Sequence, residues 1–189
     1  SVDYNELCFT ANQANSTISL VKVNQFPIEI KLYTSTDGTN FTQWDGSTIT
    51  LANAGSKIYM YGDNEYFAYA PRLDACNSFS LNGDISVDGD ISCLLTIGGT
   101  NTIPDYCFYR LFQGASGLTS APELPATTLG VSCYEAMFVN CVNLTTAPST
   151  LPATTLADSC YRSMFGGCSS LTTTPSLPAT TLSDFCYEG

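Results

Sequence analysis

One block of six residues constrains this chain more than any other feature. Leu124-Pro125-Ala126-Thr127-Thr128-Leu129 recurs unchanged at positions 151–156 and again at 177–182. A second block alternates with it. Cys107-Phe108-Tyr109-Arg110-Leu111-Phe112 aligns with Cys133-Tyr134-Glu135-Ala136-Met137-Phe138 and with Cys160-Tyr161-Arg162-Ser163-Met164-Phe165. The leading cysteines are 26 and 27 residues apart, and a fourth copy opens at Cys186-Tyr187, 26 residues further on. A repeat of this length is one supersecondary unit that cannot bury its apolar side alone. Stacked copies bury one continuous core.

Within a copy, Cys133, Met137 and Cys141 fall at i, i+4 and i+8, which predicts a short helical turn or two with one buried face. Ser132 in one copy, and Asp158 or Ser159 in the next, stand where an N-cap belongs. Gly114, Asn140 and Gly167 are equivalent, and these two residue types best tolerate the left-handed backbone that ends a helix. Leu171-Thr172-Thr173-Thr174, matched by segments from Leu118 and Leu144, suits a short strand. The proline that follows each segment lacks the donor needed to extend it. Thr-Thr-Leu gives a second extended stretch.

Residues 1–80 carry no repeat. Ile18, Leu20 and Val23, then Ile28, Ile30 and Leu32, read as strands. Asp37-Gly38 between Leu32-Tyr33 and Phe41-Thr42-Gln43-Trp44 predicts a hairpin. Ile49-Thr50-Leu51 and Lys57-Ile58-Tyr59-Met60-Tyr61 flank a turn at Asn53-Ala54-Gly55. Short strands separated by such turns predict a small β-sandwich. Residues 81–106 fill one repeat length before Cys107, and are expected to form an atypical first coil that joins sandwich to stack. The expected architecture is mainly β with short helical turns: an N-terminal β-sandwich over 1–80, then a leucine-rich-repeat solenoid over 81–189, its repeats starting at 107, 133, 160 and 186.

The run Met164-Phe165-x-x-Cys168-Ser169-Ser170-Leu171-Thr172, then Pro175 and Leu177-Pro178-x-x-x-Leu182, resembles the BspA-type leucine-rich repeat of bacterial surface proteins over residues of about 98–189. The period here is longer than is usual for that family, and the Leu-Pro-Ala-Thr-Thr-Leu block is a variant spelling. Tyr33, Ser35, Asp37, Gly38 and Trp44 are spaced as in the small Ig-like domains that precede repeats in such proteins. The resemblance implies extracellular display on a bacterial surface and attachment to a host protein, matrix protein or glycan. It carries no transferable set of binding residues.

Six Lys+Arg against 17 Asp+Glu give a net charge of −11. Nucleic acid and anionic membrane partners are disfavoured, because both require a basic footprint. No stretch reaches the ~20 apolar residues of a membrane span. Ser1 opens into Val-Asp-Tyr without a leader pattern, and Gly189 falls inside a barely started repeat. The expectation is a natural protein that continues with more repeats.

The nine cysteines are an odd number. Cys141 and Cys168 occupy a position that is Ala115 in the first copy, which suits a small buried side chain. Disulfides remain open, including a bridge among Cys8, Cys76 and Cys93. Close Cys pairs and histidine are both lacking, so no zinc site, Ser-His or Cys-His constellation can be drawn. No enzyme activity, catalytic residue, cofactor or metal is expected. Asp84, Asp88 and Asp90 offer oxygen ligands for calcium, but Asp-Gly is also a common turn. The rings of Trp44, Tyr59, Tyr61, Tyr66, Phe67 and Tyr69 can stack on sugars, or pack across strands. Asn15, Asn40 and Asn143 begin sequons, which matter only in a eukaryotic secretory setting.

Positions that differ between copies mark the candidate ligand face: Tyr109, Glu135 and Arg162 at one, Arg110, Ala136 and Ser163 at the next, Gln113, Val139 and Gly166 at a third. The leading expectation is an adhesion module that binds through Tyr109, Arg110, Gln113, Glu135 and Arg162. The alternatives are a non-binding structural spacer and a phage attachment protein.

Overall fold

A computed structural model describes residues 6–23, 29–68, 75–96 and 101–189. The fold is mainly β. Strands β1 (Leu7–Ala11), β2 (Ser16–Val23), β3 (Leu32–Ser35), β4 (Thr42–Gln43), β5 (Ile49–Leu51), β6 (Lys57–Gly62), β7 (Cys76–Asn82) and β8 (Ile85–Asp88) precede a 3-10 turn at Ile91–Leu94. Strands β9 (Thr102–Ile103), β10 (Leu118–Ser120) and β11 (Thr128–Leu129) follow it. One sheet has the order β10-β8-β1-β6-β3-β4, a second β5-β2-β7 and a third β11-β9. The predicted hairpin around Asp37-Gly38 forms, with Tyr33 opposite Gln43. The turn at 53–55 carries the chain from the second sheet to the first, since β5 pairs with β2 while β6 pairs with β1 and β3. Ile28 and Tyr69 lie outside the described residues.

Alternation explains the first two sheets. Leu7, Phe9 and Ala11 of β1 are buried while Cys8 and Thr10 are half-exposed, the period of two that a strand with one inward face requires. Phe9 meets Phe79 of β7 at 5.6 Å between ring centres. Leu32, Met60, Phe79 and Val87 join the same core, which continues through Leu111, Phe112 and Phe138 to Met164.

The repeats reach that core by another route. No helix forms between Cys107 and Ala115; the segment is a series of turns. Every fourth residue has a positive φ: Tyr106 at 58°, Arg110 at 57° and Gly114 at 68°, then Ser132, Ala136 and Asn140, then Ser159, Ser163 and Gly167. The left-handed conformation expected at Gly114, Asn140 and Gly167 is present, but as one of three in each copy. Ser132 and Ser159 are themselves left-handed residues and cap no helix. A bend repeated every four residues brings Cys133, Met137 and Cys141 to one buried side, much as a helix would.

Backbone donors in these segments alternate between two uses. Tyr109, Leu111, Gln113 and Ala115 donate to carbonyls three residues back within their own copy. Phe108, Arg110, Phe112 and Gly114 donate forward to Cys133, Glu135, Met137 and Val139 at 2.8–3.1 Å. The pattern recurs as Tyr134, Ala136, Phe138 and Asn140 donate to Cys160, Arg162, Met164 and Gly166. On the other side of each copy the bonds run both ways: Ala121, Leu129 and Leu151 donate forward to Thr146, Thr155 and Ser176. Thr145 and Thr146 both donate back to Thr119, and Thr154 and Thr155 both donate back to Thr127. Each copy therefore satisfies donors that a buried backbone must pair. The stretch predicted as a strand is β10 in the first copy, a single bridge from Ser120 to Thr146 in the next, and outside any strand at Leu171–Thr174.

The boundary expected at residue 80 falls inside β7, and the first copy stacks on residues from both sides of it. Phe67 and Phe79 donate to Cys107 and Leu111, while Gly117 donates to Leu81 and accepts from Ile85. A Cβ at Gly117 would lie 2.7 Å from the Leu81 backbone, so this approach requires glycine. Two columns of rings run through the junction. Phe79, Phe112, Phe138 and Phe165 succeed one another at 5.4–5.6 Å. Phe67, Phe108, Tyr134, Tyr161 and Tyr187 follow at 5.6–6.0 Å. Such pairs add about 0.5–1.5 kcal/mol each beyond burial.

Candidate functional site

The residues predicted for the ligand face differ in how far they are presented: Gln113 and Arg162 are exposed, Arg110 and Glu135 half-buried. Tyr109 is buried, at 7% exposure, under the Arg110 guanidinium, which lies 4.8 Å from its ring centre. Tyr109 is thus packed beneath Arg110 instead of presented. Glu135 and Arg162 continue the Tyr109 column on later copies, and Arg162 pairs with Glu188 of the next at 2.7 Å. Both of those side chains are about half exposed, so the pair contributes at most about 1 kcal/mol.

Arg110 and Gln113 do come together. They line a groove of about 260 Å³ with Val21 and Val23 of β2 and Ser78 and Ser80 of β7. Antiparallel register sets the second wall, with Val21 opposite Ser78 and Val23 opposite Cys76. The Ser78 hydroxyl donates to the Arg110 carbonyl at 3.0 Å and ties that wall to the first copy. Val21 is 47% exposed, a large apolar side chain on an open rim. Sequence reading identified Arg110 and Gln113 from their variation between copies. It missed Val21, Ser78 and Ser80, because nothing local in the sequence says that β2 and β7 lie beside the first repeat.

All nine cysteines are unbridged in the structure. The Cys141 thiol donates to Phe112 at 3.0 Å, and the Cys168 thiol to Phe138 at 3.1 Å, each reaching one copy back. Burial pushes the thiols of Cys93, Cys107 and Cys141 up to about 12 and that of Cys160 up to about 11. A thiol so raised holds almost no thiolate near neutrality and is a poor nucleophile. Among the described residues, no cluster of three or more His, Cys, Asp or Glu is arranged to hold a metal ion.

Two of the three acidic residues considered as calcium ligands, Asp84 and Asp90, are engaged in local structure. Asp84 accepts from Asn12 and Thr119, and Asp90 caps the 3-10 turn by accepting from Ser92. Asp105 and Asp158, the latter predicted as a helix cap, instead bridge copies. Asp105 accepts from the Val131 backbone and Asp158 from that of Asp184. Tyr33 and Tyr61 stack at 4.9 Å across strands with Phe41 edge-on. Phe67 is buried at the foot of the second ring column.

No family model matches the chain, and no curated protein or solved structure is significantly similar to it. No described helix is long and apolar enough to cross a membrane.

Proposed function

We propose that this chain is an extracellular binding module of a bacterial surface protein, a β-sandwich continued by a BspA-type leucine-rich solenoid. Its ligand is a host protein, matrix protein or glycan. The observation that carries this reading is the groove in which Arg110 and Gln113 face Val21 across the junction of sheet and repeats. It is a concave surface joining an apolar rim to a cation and an amide, the mixture that binding sites commonly use. A spacer reading is favoured by a different observation, the two unbroken ring columns that tie each copy to the next.

The test is an array of matrix proteins and glycans, probed with residues 1–189 and with an Arg110→Ala, Gln113→Ala double variant. The binding reading expects specific capture that the double variant reduces at least tenfold. Equal capture by both proteins would move the site out of this groove. Silence across the array would sink the binding reading in favour of the spacer.

A further inference from the structure

A second groove, of about 240 Å³, lies on the opposite face of β2. Its apolar wall is Leu20, Ile30 and Leu32, and Trp44 closes one side. Trp44 is the chain's single tryptophan, and it is held at two points. Its backbone N–H donates to Leu32 and its indole N–H to Ser47, both at 2.8 Å. With that N–H engaged, any contact Trp44 makes in the groove is through its apolar ring.

Polar groups converge on the same space. Lys22 and Asn77 are neighbours across the β2–β7 pair. Asn77 is 3% exposed. Its amide N–H donates to Phe67 at 3.3 Å. Gln43 and Lys22 are exposed at the rim, and neither side chain is hydrogen-bonded within the described residues. Glu29 and Asp45 lie at the same groove and outweigh the lysine by one negative charge, adding carboxylate acceptors to its rim.

These features suit one kind of molecule. A pyranose has a face of C–H groups that packs on an aromatic ring, and a rim of hydroxyls that both donate and accept. The groove is smaller than the roughly 300–1,000 Å³ of drug-sized sites, which fits one ring or two. We propose that it binds an uncharged sugar, one ring stacked on Trp44 with hydroxyls on Lys22, Gln43 and Asn77. This inference rests on the reading of the chain as a surface binding module, and adds a sugar site away from Arg110 and Gln113.

Tryptophan emission of the whole chain reports on this groove alone. Glucose, galactose, mannose, N-acetylglucosamine and N-acetylgalactosamine are each titrated to saturation or to 0.1 M. The expected result is a saturable change with at least one sugar. Gln43→Ala and Lys22→Ala, both at exposed positions, should each raise the half-saturation point by roughly five- to tenfold, with the melting temperature unchanged. No saturable change with any of the five sugars would overturn the inference, as would a response that neither variant weakens. Capture on the array without a tryptophan response leaves the binding reading standing and rejects the sugar site. Silence in both rejects the two together.

Discussion

The sheets and the repeats hold one core by different means, and the contrast shows where each is vulnerable. Strands β1 to β8 pair mainly antiparallel, with alternate side chains inward. Their backbone is locally relaxed, and Asn15 is the one non-glycine residue with positive φ described before residue 101. The repeats place eight non-glycine residues there, a conformation that costs about 1–2 kcal/mol for an L-residue. What they gain is a bend every four residues and a carbonyl on the adjacent copy for every second N–H. The sheets depend on sequence neighbours that alternate; the repeats depend on the copy next door.

The largest break in this comparison should come from alkali. The raised thiols lie mostly in the repeats: Cys107, Cys133, Cys141, Cys160 and Cys168, with Cys93 just before them. A thiol's ordinary value is 9.0, and those of Cys93, Cys107 and Cys141 are pushed up to about 12 in the fold. Below pH 9 the thiol is protonated whether folded or not, and its contribution is intact. As pH rises from 9 toward 12 the unfolded chain ionises and the folded one does not, so stability is lost. Melting temperature should fall steeply over that window; a flat profile would mean the thiols are not buried as described.

Phe112→Ala comes next. It empties a position between Phe79 and Phe138 and should cost about 3–5 kcal/mol. Because the core is continuous, Trp44 emission and far-ultraviolet dichroism should report the same urea transition in the wild type and the variant. Separated transitions would show that sheets and repeats are independent folding units.

Tyr134→Phe should act in the opposite direction. The hydroxyls of Tyr134, Tyr161 and Tyr187 are buried without a partner among the described residues, while Phe108 fills the same column position in the first copy. Removing an unanswered hydroxyl should stabilise by about 1–2 kcal/mol, read as a rise in the urea midpoint. A fall would mean that Tyr134 has a hydrogen-bond partner.

Gly114→Ala gives the smallest effect, a loss of about 1 kcal/mol. A Cβ there would meet nothing within 4 Å, so the cost is purely conformational. A neutral result would show that the repeat backbone relaxes out of its left-handed bends.

Much of the repeat half was legible because its spelling repeats. The interchange of Ala115 with Cys141 and Cys168 foretold small buried side chains. The restriction to Gly or Asn at 114, 140 and 167 foretold positive φ. The bends at Arg110, Ala136 and Ser163 left no such mark, because the residues there are not specialised for that conformation. Arg110 and Gln113 were legible as variable positions, whereas the burial of Tyr109 was not, since the guanidinium that covers it belongs to its own neighbour.

The sequence by itself determined the register of the repeats and the identity of their inward side chains, because each copy spells both again. Only the tertiary structure decided between helix and bends. A stripe at i, i+4 and i+8 satisfies both, and the choice depends on whether the next copy supplies carbonyls to alternate N–H groups. It also decided what closes the near end of the stack and where the grooves lie. Phe67 and Phe79 meet Phe108 and Phe112, and Val21 comes to face Arg110, through contacts between residues some 30 to 90 positions apart, for which no local pattern exists.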